Sequence, residues 1–96
     1  MTELRFEWDA RKSASNARKH GVTFQEAPIG FADPSGKVID DPDHSNEEDR
    51  YVLLGLSYAL RLLVVIHVLR EGADVVRIIS ARKATSREAT FYRRKR

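Results

Sequence analysis

Three runs rich in Val, Ile and Leu dominate the second half of the chain: Arg50 to Leu56, Arg61 to Arg70 and Val75 to Arg82. Two short breaks separate them, Ser57-Tyr58-Ala59-Leu60 and Glu71-Gly72-Ala73-Asp74. Runs of this length with four-residue breaks predict three strands joined by two antiparallel hairpins. The middle run is apolar at odd and even positions alike, as a central strand covered from both sides requires. Lys37 to Ile39 predicts one more short strand, which makes a four-stranded antiparallel meander, and Arg5 to Trp8 is a candidate for a short strand before it. Helical signals frame the meander. Asp9 is placed to cap a helix from Ala10 to His20, and Gly21 to stop it. On that helix Arg11, Lys12, Ser15, Arg18 and Lys19 share one face, while Ala10, Ala14 and Ala17 share the opposite one, expected to lie on the sheet. Thr23-Phe24-Gln25-Glu26 fits a capping box for a second helix, short because of Pro28 and Gly30, with Phe24, Ile29 and Phe31 as its core contacts. Thr85-Ser86-Arg87-Glu88 fits another, opening a last helix through Tyr92. The expected class is α+β: two N-terminal helices, the meander and a C-terminal helix.

Composition narrows the functional classes. Ninety-six residues make a single domain, residues 1–96, and the absence of cysteine excludes a disulfide framework, a thiol nucleophile and a thiolate metal site. Leu62 to Ile66 is the longest apolar stretch, far short of a membrane span, and no signal peptide is visible. A cytoplasmic protein without a membrane partner is expected. The net charge of +3 conceals a strong asymmetry. Residues 61–96 hold ten Lys and Arg against three acids, whereas residues 1–60 hold seven against eleven. A segment with a surplus of seven positive charges is the footprint of a polyanion-binding surface, and nucleic acid is the leading partner.

If both hairpin loops are symmetric and even-numbered, Leu56 lies opposite Arg61, Arg50 opposite His67, and His67 opposite Ile78. Side chains alternate along a strand, so Arg50, His67, Ser80 and Arg82 would then project from one face of the sheet. Such a group suits cleavage of RNA. The 2′-hydroxyl must lose a proton, the phosphorane must be held by cations, and the 5′-oxygen must gain a proton. Histidine exchanges protons near neutral pH, and arginine forks hold phosphate bidentately. The blander alternatives are a core histidine satisfied by a neighbour and arginines paired with the acidic loop around Asp41. Asp40, Asp41, Asp43 and His44 match no standard metal spacing, so neither a metal nor another cofactor is expected. Trp8 and Phe91 read as packing residues, and Tyr92 as packing or a hydroxyl in reach of phosphate. A nucleic-acid-binding module that catalyses nothing, or a protein-binding subunit of a DNA-binding repressor complex, would carry the same cations.

Taken together, these residues resemble the BrnT toxins of bacterial type II toxin–antitoxin modules. The matching stretches are Phe6-Glu7-Trp8-Asp9, Lys12, Asn16, Lys19-His20-Gly21-Val22, Phe24, Glu26-Ala27, Phe31 and Asp33-Pro34. They continue through His44-Ser45, Arg50, Gly55 and Ser57 to Arg77-Ile78-Ile79-Ser80-Ala81-Arg82-Lys83-Ala84-Thr85, Glu88 and Tyr92. Leu60 stands where the family pattern has glycine. The resemblance implies a RelE-like fold and a metal-independent ribonuclease that blocks translation. It also implies a BrnA-like antitoxin with a ribbon-helix-helix part, through which the complex binds its operator DNA. The expected catalytic residues are His67, Arg50, Arg82, Arg77 and Tyr92, with Lys12, Lys19, Arg61, Lys83 and Ser80 binding RNA.

Overall fold

The computed structural model describes residues 4–42, 49–70, 72 and 74–94. In chain order the elements are β1 (Arg5–Glu7), α1 (Ala10–His20), two 3-10 turns (Phe24–Glu26 and Pro28–Ala32), β2 (Lys37–Asp40), β3 (Arg50–Leu56), β4 (Leu62–Arg70), β5 (Val75–Lys83) and α2 (Ser86–Arg93). The fold is α+β as expected, and β2 to β5 form the antiparallel meander. The sheet is larger than expected, however, because β1 joins as a fifth strand parallel to β5, in the order β1-β5-β4-β3-β2. Parallel pairing needs a long crossover, and everything between Glu7 and Val75 supplies it.

The caps of α1 follow the sequence. The Asp9 carboxylate accepts from the Arg11 and Lys12 N–H groups, and Gly21 ends the helix at φ +71°, where a side chain would be strained. Its buried face does not follow it. Ser13 and Asn16 are buried, whereas Ala10 and Ala14 are exposed. Both polar residues satisfy backbone groups that have no strand partner. The Asn16 amide donates to the Val22 and Ala81 carbonyls at 2.8 and 2.6 Å and accepts from the Ala81 N–H at 3.2 Å, and the Ser13 hydroxyl accepts from the Phe24 N–H at 3.1 Å. Hydrogen bonds of this kind offset the desolvation of the buried groups. They also tie α1 to the stretch of β5 that β1, ending opposite Arg77, leaves open.

The expected second helix is absent. Thr23 makes no side-chain capping bond, and two short 3-10 turns replace the helix. Glu26, which would have completed the capping box, turns inward to Ser57 and Arg61. The second turn presses against β3, where a Cβ at Gly55 would lie 2.6 Å from the Gly30 carbonyl oxygen. Phe24 is fully buried and Phe31 packs at the edge of the core, but Ile29 points outward. Val22, Phe24 and Ala27 cover Leu53, Leu63, Val65, Val76, Ile78 and Ala81 to form the core on one face of the sheet.

Two irregularities overturn the expected register. The β3–β4 turn holds five residues, 57–61, closed by a bond from the Ser57 N–H to the Arg61 carbonyl, so Leu56 lies opposite Leu62 and Tyr51, not Arg50, opposite His67. Between β4 and β5, His67 pairs with Ile78 as expected, but Ile66 already pairs with Ser80, which leaves Ile79 as a bulge. An extra residue on one strand moves everything beyond it to the other face.

Candidate functional site

The slip and the bulge act together. Arg50 lies opposite Val68 and Val68 opposite Arg77, while Ser80 and Arg82 lie opposite Ile66 and Val64. These four residues therefore do share a face, the one turned away from the helix-covered core. His67 is on the other face, 2% exposed, between Phe31 and Tyr51. Its Nδ1 lies 3.1 Å from the Val65 carbonyl, and burial pushes its pKa below the ordinary histidine value. The expected grouping of His67 with the arginines does not form; the core-histidine alternative describes its surroundings.

Most of the expected cations have carboxylate partners. Arg50 pairs with buried Asp41 at 3.0 Å, the acidic-loop alternative; Asp43 and His44 of that loop lie outside the described residues. Arg77 and Arg70 both reach Glu7. Arg82 pairs with Glu88 rather than with the loop, through two parallel bonds of 2.8 Å. The Arg82 guanidinium, followed by the Thr85 N–H, holds the Glu88 carboxyl well below the usual range, at about 2. Because Glu88 also completes the capping box with Thr85, one carboxylate fixes both Arg82 and the start of α2.

Arg61 is committed as well. Its guanidinium donates to both oxygens of buried Glu26 and to the Gly21 carbonyl at 3.0 Å. Arg61 in turn lowers the Glu26 pKa, against the opposing effect of burial. Tyr92 gives its hydroxyl to Asp33 at 2.5 Å, and that bond raises the phenol pKa. Burial alone would raise the Asp33 carboxyl, but Tyr92 and the Leu56 and Ser35 N–H groups outweigh it and hold it low. Lys83 is exposed at the end of β5.

Charge without a carboxylate partner among the described residues lies along α1 as well as at Lys83 and on α2. Lys12, Ser15, Asn16, Lys19 and His20, with Ile79 and Ser80 opposite, line a hollow of about 230 Å³ between the helix and the bulged edge of β5. Positions 12, 19 and 20 recur on one helical face, two turns apart. Among the described residues no carboxylate pairs with Lys12, Lys19 or His20. Ser80 belongs both to this hollow and to the sheet face with Arg82, which α2 partly covers over Leu54 and Val64, so it joins the two cationic surfaces. Asn16 and His20 were not among the expected site residues. The spacing of His20 from Lys12 is visible in the sequence, but the bulge that brings β5 to meet them is not. Among the described residues no group of three acidic or imidazole side chains forms a metal site. No described helix is long and apolar enough to cross a membrane.

The family model described as ribonuclease toxin, BrnT, of type II toxin–antitoxin system matches residues 8–88. The chain is similar to the crystal structure of the Brucella abortus ribonuclease toxin BrnT, with a TM-score of 0.65 and 26% sequence identity over 90% of this chain and 100% of that one. None of the curated proteins matches the chain.

Proposed function

The chain belongs to the BrnT family of ribonuclease toxins of type II toxin–antitoxin systems, and on that premise we propose that it is a metal-independent endoribonuclease that cuts cytoplasmic RNA and so inhibits translation. The observation that carries this reading is the hollow along α1. Among the described residues its lysines have no carboxylate partner, and Ser80 links it to the arginine-bearing face of the sheet. An RNA strand offers a row of phosphates to such a surface, and ammonium groups without competing carboxylates are the ones available to bind them. Arg82 is assigned the charge that grows on the scissile phosphate, which would displace Glu88 from its two-pronged contact. Lys83 extends the surface toward the next phosphate. Arg50, Arg77 and Arg61 act at one remove, by holding the sheet face and the α1 terminus in place, and Tyr92 anchors α2 through Asp33. The fold is read as RelE-like, and a BrnA-like ribbon-helix-helix antitoxin is the proposed partner that neutralises the toxin and carries the complex to operator DNA.

Purified, antitoxin-free protein incubated with end-labelled RNA in EDTA tests the activity. New ends carrying 2′,3′-cyclic phosphate and 5′-hydroxyl groups are expected. Cleavage that appears only after a divalent metal is added overturns metal independence. Tight RNA binding without cleavage under either condition leaves a binding module in place of an enzyme.

A further inference from the structure

We propose that His20 is a catalytic residue of the cleavage, the group that takes the proton from the attacking 2′-hydroxyl; this rests on the ribonuclease reading above. His20 lines the same hollow as Lys12, Lys19 and Ser80, so a phosphate held by the lysines brings its neighbouring ribose to the imidazole. It is the last residue of α1, and the chain is fixed on both sides of it. Four residues earlier, Asn16 binds both backbone groups of Ala81 on β5. One residue later, the Gly21 carbonyl accepts from Arg61, whose guanidinium is itself held by buried Glu26 and, through Glu26, by Ser57. The imidazole therefore stands on a helix end clamped to the central sheet, the rigid support that proton transfer in a defined geometry needs.

Other proton-transfer groups near the cationic surface are engaged elsewhere. His67 is on the core side of the sheet, the Tyr92 hydroxyl is given to Asp33, and the Glu88 carboxylate is divided between Arg82 and Thr85. An ammonium group suits a phosphate, whereas imidazole is the side-chain type that exchanges protons near neutral pH. In the step, the 2′-oxygen forms its bond to phosphorus as its proton passes to His20. The bond from phosphorus to the 5′-oxygen breaks, and the departing 5′-oxygen takes a proton from solvent water. The products are a 2′,3′-cyclic phosphate and a 5′-hydroxyl, and imidazolium returns its proton to the hydroxide left by that water.

Single-turnover cleavage of a labelled RNA by His20→Ala and His20→Gln is the test, beside binding of the same sequence carrying 2′-methoxy groups. Both variants should fold and bind the analogue as the wild type does, yet cleave about 10²-fold or more slowly. Added imidazole should restore part of the rate to His20→Ala, which a purely structural role would not allow. Wild-type cleavage rates in both variants overturn the assignment while leaving the ribonuclease reading intact. So does a slow His20→Ala that imidazole does not rescue and that has also lost analogue binding. Absence of cleavage by the wild-type protein overturns both.

Discussion

The Phe31 ring meets the His67 imidazole edge-on at 4.7 Å, with Tyr51 at 6.1 Å on the other side, and those neighbours decide what His67 can do. Burial lowers its folded-state pKa, so below the ordinary value near 6.5 the unfolded chain binds a proton that the folded chain resists. Stability is therefore full above about pH 6.5 and declines as pH falls through and below it. Urea midpoints measured between pH 7 and 5 should decrease in the wild-type protein, and His67→Leu should flatten that dependence whatever its own stability; an unchanged slope would show that other groups carry it. Leu60 poses a separate residue-scale question. It is 79% exposed with φ +60°, a left-handed conformation that strains a leucine, in the turn closed by its N–H to the Ser57 carbonyl. Leu60→Gly removes that strain at the expense of a more flexible unfolded chain, so a gain of about 0.5–1 kcal/mol is expected. A melting temperature that fails to rise would mean the turn tolerates leucine without strain.

At the scale of elements, β3, β4, β5, α1 and α2 were legible because each carries its own local signal: an apolar run, a cap or a capping box. The second helix failed because the same letters, Thr23 to Glu26, serve two uses, and a buried partner at Arg61 outcompetes the local box for Glu26. The small-residue face of α1 misled for a related reason. Alanine is a good neighbour for a sheet, but an open strand edge needs hydrogen bonds, which Asn16 supplies to Ala81, and the first 3-10 turn needs one for the Phe24 N–H, which Ser13 supplies. Register was the least legible property, since a five-residue turn and a one-residue bulge have no signature in hydrophobic alternation. Those two features separate His67 from the arginines and gather Arg50, Arg77, Ser80 and Arg82. The contact of the second 3-10 turn with β3 gives a direct test of element packing. Gly55→Ala places a methyl 2.6 Å from the Gly30 carbonyl oxygen, a backbone atom that cannot rotate aside, so a loss of about 1–3 kcal/mol in urea unfolding is expected. Gly30→Ala should be milder, because the nearest atom its methyl meets is the Leu53 side chain at 3.3 Å. Equal losses would place the crowding elsewhere.

Across the whole molecule, the excess of positive charge in residues 61–96 agrees with the RNA substrate that membership of a ribonuclease-toxin family implies, and folding pairs part of that charge internally. Of the arginines there, Arg61, Arg70, Arg77 and Arg82 are paired with Glu26, Glu7 or Glu88, acids drawn from the first seven residues, the 3-10 turns and α2. Folding thus neutralises four arginines of the basic segment internally, while Lys12 and Lys19 of α1, from the acidic half of the sequence, join Lys83 and the arginines of α2 as cations with no carboxylate partner among the described residues. Salt dependence separates the two populations. Each phosphate neutralised on a single strand contributes about 0.7 to the slope of log affinity against log salt. For a 2′-methoxy RNA, the combined change Lys12→Ala and Lys19→Ala should reduce the slope by about 1.4 if both contact phosphate. Arg77→Ala should leave the slope nearly unchanged, because its guanidinium is already matched by Glu7 at 3.2 Å and binding releases few further counterions there. Arg82→Ala falls between these, since a phosphate must first displace Glu88 from a bidentate pair. If Arg77→Ala lowers the slope as far as the lysine pair does, the strand crosses the arginine-bearing sheet face beside Arg77 and exchanges Glu7 for phosphate. If the lysine pair leaves the slope unaltered, the hollow along α1 is not where RNA binds.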